Sequence, residues 1–225
     1  MTSDNREVWE TRYRRGEGRV NYPFDAVVTF VLRRLKAAGG PHRVLDFGCG
    51  VGNHLWFLAE NGYQAFGTDA APTAVALARD ALRLVDPSYP ADARVLPMDG
   101  DRVPFGDSMF DAVIDRSSLG QCRAPTIRRL VGEIHRVLKP GGRYFGVNFA
   151  DTHPDLRFGR ALGTGDWCDF TAGTFKGLGA RHFFSVAEVH DVFDAFEIAD
   201  IRRLSEASLT GGGTIEQLIV EAVKP

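Results

Sequence analysis

The chain has 225 residues, 44% apolar and 25% charged, the composition of an ordinary globular protein able to bury a full core. Lys and Arg number 27 against 29 Asp and Glu; the formal charge of −2 gives no electrostatic reason to expect nucleic-acid or membrane binding. No run reaches the ~18 apolar residues of a transmembrane helix, the polar start Met1–Glu7 lacks a signal peptide's apolar stretch, and Cys49, Cys122 and Cys168, odd in number and far apart, suit neither a disulfide framework nor a zinc site.

One domain is expected, in a reducing cytoplasm, in four parts. Residues 1–40 read as a helical cap. Ser3 or Asp4 caps a helix that carries Trp9 and Tyr13 four residues apart on one face. Beyond Gly16-Glu17-Gly18, a second helix is marked by Phe24, Val27, Val28, Val31, Leu32 and Leu35, and Gly39-Gly40-Pro41 stops it. Residues 41–150 alternate short apolar runs with helices. The strands are Arg43–Phe47, Gln64–Thr68, Ala93–Met98, Phe110–Asp115 and Arg143–Phe149; the helices begin near Asn53, Pro72 and Ala124. Such alternation predicts parallel β-α-β units.

Residues 151–184 break the rhythm. Six glycines, at 159, 163, 165, 173, 177 and 179, mix with Phe158, Trp167, Phe170 and Phe175, and the aromatic content favours a functional lid over a disordered linker. Residues 185–225 resume with a helix at Ser185–Ala195 and strands at Phe196–Leu204 and Ile215–Val223 around Gly211-Gly212-Gly213. Two strands with no helix between them should pair antiparallel, and Leu218-Ile219-Val220, apolar on both faces, suits an interior strand. The fold class is therefore α/β: a Rossmann-like, doubly wound, seven-stranded sheet, mostly parallel with an antiparallel C-terminal hairpin strand.

The chemistry concentrates in Val44-Leu45-Asp46-Phe47-Gly48-Cys49-Gly50-Val51-Gly52-Asn53-His54, a strand entering a glycine turn that opens a helix. Glycines let a ligand approach the backbone, and the helix start offers free N–H groups. Asp69 follows Asp46 by 69 − 46 = 23 residues, at the second strand's end, where an acid accepts the hydroxyls of a ribose. A dinucleotide fingerprint wants a third glycine where Asn53 stands. Asp46 would repel a pyrophosphate and suits a cationic ligand such as the ammonium and sulfonium of S-adenosyl-L-methionine.

Leu45-Asp46-Phe47-Gly48-Cys49-Gly50, Gly67-Thr68-Asp69, Met98-Asp99-Gly100-Asp101, Phe110–Asp115 and Val137–Gly142, in this order, resemble the class I S-adenosylmethionine-dependent methyltransferases, in their small-molecule branch of the methyltransferase domain 11 or 25 type. The resemblance implies that Asp46 and the Gly48–Gly50 backbone hold the methionine end and Asp69 the ribose, with Asn53 also among the cofactor-binding residues. It implies Ala70, Asp99 and Gly100 around the adenine, Asp115 and Arg116 under the methionine portion, and Trp9 and Tyr13 as a cap over the cofactor.

Methyl transfer is an in-line displacement that asks the protein for positioning, desolvation and, with a hydroxyl acceptor, a base. No metal is expected. His182 and His153 are the base candidates, since histidine titrates near neutrality. Ser117, Ser118, Asn148 and Asp151 reach the same rim, and the stretch Gly179–Phe184 resembles an element that lines the acceptor pocket. Strand four ends Asp115-Arg116-Ser117-Ser118 and not in the [N/D]-P-P-[Y/F] of base and glutamine methylases, so a small-molecule acceptor under the 151–184 segment is expected, its O, N or S atom open. The state is monomer or homodimer. Alternatives are an NAD-dependent oxidoreductase, disfavoured by Asn53 and the final hairpin, and a non-catalytic cofactor-binding relative.

Overall fold

The computed structural model describes residues 3–36, 42–210 and 213–225, and only the backbone of residues 3 and 4. The expected stop at Gly39-Gly40-Pro41, the caps from Ser3 or Asp4 and the Gly211-Gly212 corner lie outside what it describes. In chain order the elements are α1 (Ser3–Arg14), α2 (Asp25–Phe30), β1 (Arg43–Phe47), α3 (Asn53–Glu60), β2 (Gln64–Asp69), α4 (Pro72–Val85), α5 (Ala91–Arg94), β3 (Val95–Pro97), β4 (Phe110–Arg116), α6 (Ala124–Val137) and β5 (Leu138–Phe149). After them come β6 (Arg160–Gly163), β7 (Asp166–Cys168), β8 (Arg181–His182), α7 (Val186–Val192), β9 (Glu197–Ala207) and β10 (Thr214–Val223). Among the described residues no helix is long and apolar enough to cross a membrane.

Seven strands form one sheet in the order β3-β2-β1-β4-β5-β10-β9. β1 pairs parallel with β2 and β4, and β4 with β5, whereas β10 runs antiparallel between β5 and β9. The expected architecture is therefore the observed one, with Leu218-Ile219-Val220 on the interior strand. Successive strand residues face opposite ways, and the core divides accordingly. Leu45, Val113 and Val220 pack with Ile127, Leu130 and Ile134 of α6. Their neighbours Val44, Ala112 and Ile219 pack on the other face with Leu55 and Leu58 of α3 and Val27 and Phe30 of α2.

Three elements differ from expectation. α2 continues into a wider π-helical turn at Val31–Leu35, still burying Val31 and Leu35. Ala93 and Arg94 belong to the short α5, which leaves β3 only three residues. β5 begins at Leu138: Lys139–Gly142 is an irregular strand start, pinned where Gly141 N donates to Lys224 O (2.8 Å) and Lys224 N to Gly142 O (2.9 Å).

The 151–184 segment is ordered by a sheet of its own, β6-β7-β8. Under it Phe170, Phe175 and Phe183 are buried against Phe149, Leu156, Trp167 and Leu178. A buried polar clamp fixes it to the main body. Asp166 accepts from Ala124 N at the start of α6 (3.2 Å) and lies 2.7 Å from His182 Nδ1, while His182 Nε2 lies 2.9 Å from Glu188 of α7. The carboxylate thus serves the positive end of a helix and an imidazole together.

Gly52 shows what the β1–α3 turn demands. Its φ is +86°, and an added Cβ would lie 2.8 Å from Ala78 Cα in α4. Gly52→Ala should therefore lower stability by about 2 kcal/mol or more, combining left-handed strain with overpacking; the urea midpoint measures it. At His182, burial pulls the pKa down, but Glu188 and Asp166 outweigh it and the net shift is upward. A histidine raised in the native state stabilises fully below its unfolded value of ~6.5 and loses that contribution as pH climbs through the native value. Thermal unfolding from about pH 6 to about 9 should show this alkaline loss in the parent and not in His182→Asn.

Candidate functional site

β1 has β2 on one side and β4 on the other, so the connections leave it in opposite directions, and the crevice beyond the strands' carboxyl ends opens at that point. A cleft of about 260 Å³ occupies it, close to the lower end of what one small ligand needs. Its floor is the turn Gly48–Val51 with Asn53 and His54, flanked by Asp69 from β2 and Arg116, Ser117 and Ser118 from β4. Its roof is Trp9 and Tyr13 of α1, and its far wall is Phe149, Thr174, Phe175, Leu178 and Arg181.

Asp69 organises the floor. Its Oδ2 accepts from Gly50 N and its Oδ1 from Ala71 N, both at 2.9 Å, so the glycine turn and the start of α4 hang on one carboxylate. Burial pushes its pKa up to about 6, against the two N–H donors that favour the ionised form. Gly48 and Gly50 both have positive φ, and a Cβ on Gly50 would meet Tyr13 Oη at 3.0 Å. Asp46 is buried beneath the turn, its Oδ2 without a hydrogen-bond partner among the described residues and 3.3 Å from His54 Nδ1.

α1 is tied across the strand tips. Asn5 Nδ2 donates to Gln121 O and Ala180 O, both at 2.6 Å, Trp9 Nε1 donates to Gln121 Oε1 at 3.0 Å, and Thr73 N donates to Glu10 at 3.0 Å. Trp9 and Tyr13 stack with ring centres 5.5 Å apart, as one helical face allows. Asn53 Nδ2 donates to Tyr22 O (2.8 Å) and holds the link between α1 and α2 over the floor. Arg116 lies 4.0 Å over the Phe24 ring, its pKa lowered by burial.

The structure gathers Trp9, Tyr13, Gly48, Gly50, Asn53, Asp69 and Arg116 in the cleft wall and leaves other expected residues outside it. Asp115 is saturated: its carboxylate accepts from Tyr144 Oη, Asn148 Nδ2, Ser118 N and Leu119 N, so it shapes the turn bearing Ser117 and Ser118. Ala70 is buried behind Asp69. Asp99, beside Gly100, is an exposed side chain 3.7 Å from Arg6 and outside the cleft wall.

Neither expected base lines the cleft. His182 Nδ1 is hydrogen-bonded to Asp166, and its Nε2 lies 2.9 Å from Glu188. His153 Nδ1 accepts from Asp155 N (3.2 Å), and its ring is buried among Phe149, Phe175 and Phe183. Strand alternation explains the miss at His182: on β8 its neighbour Arg181 faces the cleft. Among the described residues His54 is the imidazole in the wall. It adjoins the glycine motif, but its contact with Asp46 needs the helical turn of α3 to form.

Residues 44–142 match the methyltransferase domain family model. The demethylmenaquinone methyltransferase of Thermus thermophilus is 33% identical over 111 residues, 48% of either chain, and the curated relatives are each matched over less than half their length. A structure described as a S-adenosylmethionine-dependent methyltransferase from Methanosarcina mazei superposes with a TM-score of 0.68 at 24% identity, covering 90% of this chain and 98% of that one. The 1,6-didemethyltoxoflavin-N1-methyltransferase of Burkholderia thailandensis, with its substrate and S-adenosylhomocysteine bound, superposes at 0.67 and 19%, covering 97% and 86%. Residues 44–142 thus match the methyltransferase domain, and the chain as a whole shares the fold of these solved methyltransferases.

Proposed function

We propose that this protein binds S-adenosylmethionine across the β1 and β2 tips and methylates a small molecule held beneath the β6–β8 insertion. The observation that carries the reading is the anchored Asp69 carboxylate beside the glycine turn. Each of its oxygens accepts one backbone N–H and retains a lone pair for a ribose hydroxyl. Buried Asp46 Oδ2, without a hydrogen-bond partner among the described residues, suits the ligand's ammonium. Gly48 and Gly50 let the methionine portion lie close to backbone N–H groups, and Trp9 and Tyr13 close over it. Ala70, Asp99 and Gly100 are assigned to the adenine side by family resemblance; on that assignment Asp99 exchanges its contact with Arg6 for the base.

The cofactor supplies a methyl on a sulfonium that is already a good leaving group. What remains for the chain is to align the acceptor and keep water out. Phe149, Phe175 and Leu178 give the acceptor side an apolar wall. For an acceptor that must lose a proton, His54 is the imidazole within the wall, steered by Asp46.

Asp69 makes the reading testable through pH. In the ligand-free protein a carboxyl raised to about 6 holds its proton more tightly folded than unfolded, so its contribution to stability declines as pH rises from about 4 to about 6. Ribose hydroxyls prefer the ionised form, so affinity for S-adenosylhomocysteine should rise through the same interval and level off above it. Calorimetric titration should show that rise in the parent and a flat, at least tenfold weaker profile in Asp69→Asn, since a hydrogen bond to a charged group is worth about 1.5–3 kcal/mol. No uptake of S-adenosylhomocysteine by the parent refutes the reading.

A further inference from the structure

The far wall of the cleft holds a cation with no counter-ion among the described residues. Arg181 is only 1% exposed, and its Nε, Nη1 and Nη2 make no hydrogen bond to any described residue. Its guanidinium carbon lies 5.6 Å from the centre of the Trp9 ring, and Arg12 lies at the same distance from that ring. Burial lowers its pKa to about 9, and the like charge of Arg12 adds to the effect. The acids that come near β8, Asp166 and Glu188, lie on its other side and are held by His182. A buried guanidinium with its donors unspent is costly unless something joins it. Its planar fork matches a carboxylate two bonds to two.

We propose that Arg181 binds a carboxylate of the methyl acceptor, which makes the acceptor an anionic small molecule with an apolar body. The proposal rests on the methyl-transfer reading above and adds the substrate class to it. The guanidinium belongs to the acceptor side because it enters from the insertion, in one wall with Phe149, Phe175 and Leu178. Of the groups assigned to the cofactor, Trp9 and Tyr13 reach over the cleft from α1 and the others stand at the strand tips, where the buried acids Asp46 and Asp69 repel a carboxylate. Pairing with β7 fixes the guanidinium's direction: Trp167 stands opposite Arg181 and Asp166 opposite His182.

The test uses the full chain saturated with S-adenosylhomocysteine and matched pairs of carboxylate and amide: acetate with acetamide, benzoate with benzamide, phenylacetate with phenylacetamide. At least one carboxylate should raise the melting temperature where its amide does not. Arg181→Gln should abolish that preference while keeping the affinity for S-adenosylhomocysteine within about threefold, and Arg181→Lys should retain part of it. Equal responses to carboxylate and amide in every pair, a comparison that needs no variant, overturn the proposal. It is equally overturned if Arg181→Gln weakens S-adenosylhomocysteine tenfold or more but leaves 5′-methylthioadenosine unaffected, for then the guanidinium serves the cofactor's own carboxylate. Failure of the parent to bind S-adenosylhomocysteine at all is a separate result and strikes the methyl-transfer reading.

Discussion

The cleft depends on one carboxylate held at the end of a buried strand. Asp69 cannot shed its charge to water, and it is the two backbone N–H groups of Gly50 and Ala71 that let it stay there. The same bonds set the path of the glycine turn and the start of α4, so the carboxylate that lines the cleft also shapes the surface beside it. Burial, which raises its pKa, and the N–H donors, which oppose the rise, leave the group close to its titration point near neutrality. A looser attachment would cost the turn its shape before it cost the site its charge.

The second support is the clamp of Asp166, His182 and Glu188, which makes a wall out of a glycine-rich stretch. Six glycines give the stretch little intrinsic order, and the aromatic cluster beneath it is non-directional. Hydrogen-bonded charge supplies the direction: Asp166 of β7 and Glu188 of α7 meet on one imidazole, and Asp166 also holds the start of α6. With His182 turned inward, the alternation of β8 leaves its neighbour no choice but the cleft. The structural histidine is thus what aims the arginine.

What could be read from the sequence follows from how local each signal is. The parallel core was legible because strand, turn and helix starts at Asn53, Pro72 and Ala124 are written in adjacent residues, and the hairpin because no helical pattern separates its two strands. The floor of the cleft was legible for the same reason: Gly48, Gly50 and Asp69 lie within one β-α-β unit. Where partners are distant, reading failed. Asn5 meets Ala180 across 175 positions, and His182 meets Asp166 through a sheet whose strands are two to four residues long. Asp115 illustrates a subtler limit: its place at the strand end was clear, but that four donors consume its carboxylate depends on Tyr144 and Asn148 of β5.

The miss at His182 carries a general point about charge in this cleft. Histidine is the residue type linked to proton transfer, but the side chain that lines the cleft is that of its neighbour Arg181. On a strand a single step is the whole difference between core and cavity. Charge around the cleft is then divided: Asp69 lines it at the strand tips with Asp46 buried beneath the turn, a buried guanidinium lines it from the insertion, and apolar rings lie between. A ligand that is cationic at one end of the cleft and anionic at the other is aligned by that field before any close contact forms. In the proposed methyl transfer, which needs acceptor, methyl and sulfur in one line, such alignment would be the larger part of what the protein contributes.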